Sequence, residues 1–392
     1  MPNLRTIVLC GGLILTLSLG IRHSFGLFLQ PMSADLNWGR EVFAFAIALQ
    51  NLVWGIFQPF AGMIADRHGG GRVIAVGSLS YLAGLVLMGL SQSGMALSLS
   101  AGLLIGIGLS GTGFSVVYGV IARNVPAENR SFALGLASAA GSFGQFAMLP
   151  AIQFSISATG WFLSILILAA LAGLIAPLGR ALAGNPRHAS TQSPRQALAE
   201  ARAHTGFWLL SFGFFVCGFQ IVFIATHLPA YLADLAMPAH VGATALALIG
   251  LFNIFGTLAC GYLGGRASKK TLLSGLYLLR GFAIAAFVAL PASEASVYFF
   301  AAVMGLLWLG TVPLTSGIVA QVFGVKFLSM LFGIVFLFHQ AGAFFGAWVG
   351  GLLFDVTDSY QSVWIIAIVL SGVAAILNWP IDERPLARAL PA

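Results

Sequence analysis

The stretch GMIADRHGGGRVI, residues 62–74, gathers Asp66, Arg67 and Arg72 among four glycines between two long apolar runs. A weaker copy, GYLGGRASKKTLL, lies at 261–273, 199 residues further on. Each copy ends one apolar run and starts the next. Each places an arginine five positions after its first glycine, Arg67 after Gly62 and Arg266 after Gly261, and then a basic cluster. A polar junction that recurs at the same place in both halves of a chain marks a duplication.

Two further pairs support it. GIRHSFGLFLQPMSADL (20–36) matches GFQIVFIATHLPAYLADL (218–235), with Gly20, Phe25 and Pro31 opposite Gly218, Phe223 and Pro229. GSFG (141–144) matches GAFFG (342–346). The chain has 392 residues, 59% of them hydrophobic and 7% charged, whereas soluble domains carry about 25% charged residues. An apolar run of about 20 residues crosses a bilayer core. Twelve such runs are expected, at 6–30, 41–65, 73–91, 94–122, 131–156, 160–183, 206–233, 241–265, 271–291, 295–322, 327–354 and 361–380. The first mimics a signal peptide behind Arg5. Its apolar character continues past Gly20 without a small-residue cleavage pattern, so it reads as the first membrane helix.

These runs predict an all-α integral membrane fold of two six-helix bundles, residues 1–183 and 206–392, joined by a polar linker at 184–205. The linker reads as solvated chain; its segment RQALAEARAH is the part able to form a short helix along the membrane surface. All but three of the 18 lysines and arginines fall on the linker side of the alternating helices. Arg40 alone falls on the other side, and Arg22 and Arg280 lie inside helices. By the positive-inside rule this places both termini in the cytoplasm. Cys10, Cys217 and Cys260 lack metal or redox spacing. The glycines of GLLIGIGLSGTG (102–113) sit inside an apolar helix with no strand before them, so they serve helix packing rather than a nucleotide. No ATP site, cofactor, metal or nucleic acid is expected. An enzyme would need His, Asp or Glu clustered on one face, and the sequence offers none.

The loop 62–74 resembles the signature loop of the major facilitator superfamily, with its glycine, Asp-Arg pair, further glycine and basic residue between helices two and three. Length, helix count, linker position and the weaker second copy extend the resemblance over the whole chain. It implies two bundles that rock about a central cavity. HLPAYLAD (227–234) and the phenylalanine-rich first helix resemble the monocarboxylate-porter and oxalate:formate-antiporter branch. That branch's eighth-helix arginine has no counterpart in IGLFNIFGTLACG (249–261).

In this setting Gly62, Asp66, Arg67, Arg72 and Arg130 are expected to form a conformational latch, with Arg130 the candidate partner of Asp66. Arg22 is the chief binding candidate. A guanidinium at mid-depth costs about 3 kcal/mol on insertion scales and must face water or a partner. All eleven acids fall in loops or at helix ends, so an anion is the natural guest, held by the planar fork of donors. The competing reading gives Arg22 backbone carbonyls or Gln220. Phe25, Tyr118, Gln220, Asn253 and Arg280 complete the expected substrate set. For Arg280 a structural or gating role, through Asn253, Tyr277 or a neighbouring helix, is weighted above substrate contact. Interhelical hydrogen bonding is the plain alternative for the uncharged members, as for Asn51 and Gln145. Without an intramembrane carboxylate, a coupling proton needs a histidine, and His339, His227 and His23 are the candidates. The expected function is secondary transport of a small organic anion by alternating access, acting as a monomer in a bacterial inner membrane. Proton-driven efflux of hydrophobic molecules is the rival.

Overall fold

The computed structural model describes residues 4–38, 40–183 and 192–386, and helices are the only regular elements among them. The crossing helices are α1 (Leu4–Phe28), α2 (Arg40–His68), α3 (Gly70–Gly89) and α4 (Gly94–Asn124). Next comes a continuous run, Ala127–Leu182, of 56 residues. At 1.5 Å per residue that is far more than one bilayer needs. The run turns at Gly160, whose φ of 82° suits a residue without a Cβ. It therefore supplies two crossings, α5 (127–159) and α6 (161–182). The second half gives α7 (Thr205–Asp234), α8 (Ala239–Leu263), α9 (Lys269–Ala289), α10 (Glu294–Phe323), α11 (Leu328–Thr357) and α12 (Gln361–Asn378). The described residues thus form twelve membrane-crossing helices in two bundles, and the chain is an integral membrane protein.

Local chemistry fixes several ends. Ser93, Ser268 and Ser293 accept the amides of Ala96, Thr271 and Ser296 and so cap α4, α9 and α10. In the linker, Ser193 caps a helix at Pro194–Ala203 that buries Ala197 and Ala201. This corrects the picture of the linker as solvated chain throughout: alanines at helical spacing dock the segment. Residues 184–191 of the linker lie outside the described residues.

The duplication extends to side chains. Ser18 on α1 and Thr112 on α4 share a hydrogen bond of 2.9 Å, and Cys217 on α7 and Thr311 on α10 share one of 3.2 Å. The two pairs are 199 residues apart at both members. Both fourth helices are also interrupted at matching places. α4 becomes extended at Gly113, and α10 breaks after Leu307. Backbone groups freed inside a membrane must find side-chain partners. Gln58 donates to the Ser110 carbonyl in the first half, and Arg280 and Asn253 serve the α10 break in the second.

Among the described residues the bundles are joined along two seams. On one, Asp66, Gly62, Pro59 and Gly55 of α2 meet Met330, Ser329, Gly333 and Gln340 of α11. On the other, Ser131, Gly135 and Ser142 of α5 meet Gly264, Gly261 and Asn253. The glycines let backbone pack on backbone: a Cβ on Gly62 would collide with the Ser329 main chain, and Gly135 and Gly261 approach at their Cα atoms. All of these contacts lie between the linker end and mid-depth, so the linker end is the closed end.

Candidate functional site

The closed seam is organised by Asp66. Its carboxylate is buried at the end of α2 and pairs with Arg123 at the end of α4. It also accepts the main-chain N–H of Met330 at 2.8 Å and of Ser329 at 3.3 Å. These two amides belong to the first turn of α11, whose own N-cap residue is Phe327 and supplies no side-chain cap. The aspartate of one bundle therefore caps a helix of the other, where the helix dipole also favours a negative charge. The Arg130 pairing expected from the sequence is corrected. Arg130 donates to the Ala122 carbonyl at 3.0 Å, while Arg123, at the end of a helix already in the seam, takes the carboxylate. Arg67 and Arg72 are exposed, and Gly62 lies in the seam one turn before Asp66.

Arg22 lies on the last α-helical turn of α1, just before the chain tightens to a 3-10 turn at Ser24–Phe28. It is partly exposed. One terminal nitrogen, Nη2, donates to Asn51 Oδ1 on α2 at 2.6 Å. The guanidinium lies 5.1 Å from the centre of the Trp54 ring, one turn along α2, a cation–π contact. Its Nε is buried without a hydrogen-bond partner. Among the described residues no carboxylate pairs with it. Asn51 is in turn tied to the other bundle: Gln340 Nε2 on α11 donates to its main-chain and side-chain oxygens, both at 3.3 Å.

The other residues grouped with Arg22 separate from it. Arg280 is fully buried in the second bundle. It donates to the carbonyls of Leu307 and Trp308, and more weakly to Cys217 and Gln220, each at 3.4 Å. It answers the broken α10 rather than a cavity. Gln220 is also fully buried and donates to Ala367 and Ser371. Asn253 spans from Ser142 of the first bundle to the Leu309 amide. Tyr118 is buried in the closed seam, stacked on Phe332 of α11 with centres 6.1 Å apart, and Phe25 is buried in the core. His227 sits between Tyr360 and the Ala347 carbonyl, and His23 bonds the Leu19 carbonyl of its own helix. His339 is buried beside Gln340.

Sequence reasoning passed over Arg123, Trp54 and Gln340 as partners. For the contact of Asp66 with α11 a signal existed: α11 opens on GVKFL without a capping side chain, so its amides needed an acceptor from elsewhere. Trp54 follows Asn51 by three residues, on the same helical face.

Two duplicated six-helix bundles, sealed at one end around a buried aspartate and carrying a half-buried arginine inside the first membrane helix, have the architecture of a membrane transporter. The chain belongs to the Major Facilitator Superfamily, whose family model matches residues 8–316 and 210–392. It is 26% identical to the uncharacterised transporter YcxA of Bacillus subtilis, over 96% of this chain and 95% of that one. It is 25% identical to monocarboxylate transporter 11 of Mus musculus, covering 96% and 86%, and 21% identical to the oxalate:formate antiporter of Oxalobacter formigenes, covering 92% and 87%. Among solved structures it resembles the major facilitator transporter FucP, crystallised in the outward conformation. There the TM-score is 0.75 at 16% identity, covering 95% of this chain and 97% of that one.

Proposed function

We propose that the protein carries small organic anions, monocarboxylates first among them, across a bacterial inner membrane by alternating access, and that Arg22 holds the carboxylate. The observation that carries this reading is the arginine itself: a half-buried residue inside a membrane helix, held to Asn51 where α2 meets α11, with an unpartnered Nε and no carboxylate pair among the described residues. Such a fork accepts a carboxylate through two donors. Trp54 gives the cation a fixed lower wall and an apolar surface for the organic part of the guest. The names of two relatives, a monocarboxylate transporter and an oxalate:formate antiporter, point to the same substrate class.

The excess of basic residues at the linker end supports a cytoplasmic position for that end, and on this reading the sealed seam describes the state that loads from outside. Asp66 stabilises this state, and its loss of contact with α11 accompanies opening to the cytoplasm. The test is uptake by the protein reconstituted in lipid vesicles. Labelled lactate, pyruvate, formate and oxalate should enter through the wild type, and Arg22→Ala should abolish entry while folding and melting temperature stay near normal. Normal uptake by Arg22→Ala would remove the assignment.

A further inference from the structure

We propose that the linker end of the seam between α5 and α8 carries an effector site for a small soluble oxyanion that also bears a hydrogen-bond donor, hydrogen phosphate or a hydroxy acid, and that the occupant holds the bundles shut at that end. The site is separate from Arg22 and stands whether or not Arg22 takes a carboxylate.

The two seams differ by one side chain. In the first, Asp66 reaches across to the first turn of α11 and ties the bundles together. The residue 199 positions further on is Gly265, which has no side chain to reach with. Gly265 nevertheless faces the other bundle at the first turn of α5: a Cβ on it would stand 3.7 Å from the Glu128 carbonyl. That turn follows Pro126 and has no side-chain cap. The second seam therefore brings together a junction loop and a helix start, as the first does, without an aspartate between them. Beside Gly265 lies a cavity of about 420 Å³, lined by Glu128, Asn129 and Phe132 of α5 and by Tyr262, Gly265 and Arg266 of the second bundle.

Arg266 is prepared to hold an anion. Its guanidinium lies 3.7 Å from the centre of the Tyr262 ring, and stacking of this kind fixes the plane of the fork while leaving its edge donors available. Among the described residues no hydrogen bond or ion pair takes those donors. The neighbouring cations are committed: Arg130 donates to the Ala122 carbonyl and Lys269 to Gln321. The start of α5 adds a favourable dipole for a negative charge.

Glu128 sets the second requirement. It lines the same cavity, yet it forms no ion pair with Arg266. A bare anion would meet its repulsion. A guest with an anionic group for Arg266 and a donor for Glu128 satisfies both. Hydrogen phosphate and lactate have the two groups, and pyruvate lacks the donor. Phe132 and Tyr262 add an apolar wall for a carbon chain.

The cavity draws its walls from both bundles, so parting them at the linker end dismantles it. An occupant therefore binds the closed state and favours it by the same free energy. Asp66 is the built-in latch of one seam, and this cavity is a ligand-operated latch on the other.

The test is titration of inorganic phosphate into the full chain in phosphatidylcholine nanodiscs. The wild type and Arg22→Ala should bind it saturably, and Arg266→Gln should bind about tenfold more weakly or less. Arg22→Ala should also bind lactate but not pyruvate. Gly265→Asp supplies the missing carboxylate and should lose phosphate binding. In the Asp66→Asn background, phosphate should shorten the distance between spin labels at His68 and Thr271, and Gly265→Asp should shorten it without phosphate. Absence of saturable binding in the wild type overturns the proposal, as does undiminished binding by Arg266→Gln or Gly265→Asp. Phosphate binding that disappears in phosphatidylethanolamine nanodiscs would give the cavity to a lipid headgroup and overturn the soluble assignment.

Discussion

Asp66 and Met330 belong to different bundles and are 264 residues apart, yet the Asp66 carboxylate accepts the Met330 amide at 2.8 Å. That bond, with the Ser329 amide and the Arg123 ion pair, places a buried charge where the two bundles must part when the linker end opens. The closed state satisfies the carboxylate fully, and opening deprives it of the α11 amides.

Replacing Asp66 with Asn keeps the shape but leaves Arg123 buried without its counter-charge. Breaking one side of a buried pair costs about 3 kcal/mol, which shifts the balance between closed and open linker ends by about two orders of magnitude. Distances between spin labels at His68 and Ala267 should lengthen in Asp66→Asn, while the preference among carboxylates stays unchanged. Unchanged distances would show that the latch does not hold this end.

Gly62 makes a steric counterpart to that electrostatic test. A side chain there meets the Ser329 main chain only when the seam is closed. Gly62→Val should fold, because the collision is between bundles and not within one, but it should rarely reach the sealed state. Solvent labelling of cysteines placed in the seam should rise and transport should fall at least tenfold. Wild-type transport by Gly62→Val would contradict the observed approach of α2 and α11.

Arg280 is predicted to behave differently from Arg22. Its donors close the carbonyls exposed by the α10 break. Arg280→Met should lower thermal stability, since leaving buried groups unsatisfied costs about 1–3 kcal/mol each. The protein that remains folded should keep the wild-type order of preference among carboxylates. A changed preference with unchanged stability would move Arg280 into the binding site.

Much of this architecture was legible in the sequence because membrane crossing imposes long apolar runs and duplication repeats their punctuation. The junction at 62–74 and its copy at 261–273 were enough to order twelve helices in two halves. The site was harder to read for a physical reason. A sequence reveals which residues are charged but not which backbone groups a broken helix leaves open. Arg280 and Asn253 resemble Arg22 as polar residues in apolar runs, and only the interruption of α10 shows what they serve. Arg123 and Arg130 sit at neighbouring positions around one loop, and only the approach of α11 selects the first for Asp66. The linker helix was within reach, since Ala197 and Ala201 recur at helical spacing behind Ser193 and Pro194.

The central claim is that Arg22 holds a carboxylate, and ligand-dependent melting of the purified wild type and Arg22→Ala tests it most directly. A ligand at about 100 times its dissociation constant stabilises the bound form by about 2.7 kcal/mol, enough to raise the melting temperature visibly. The account predicts a rise for the wild type with at least one of lactate, pyruvate, formate and oxalate, and none for Arg22→Ala with the same acid. An equal rise in both proteins, or a rise in the wild type with uncharged hydrophobic compounds alone, would contradict it.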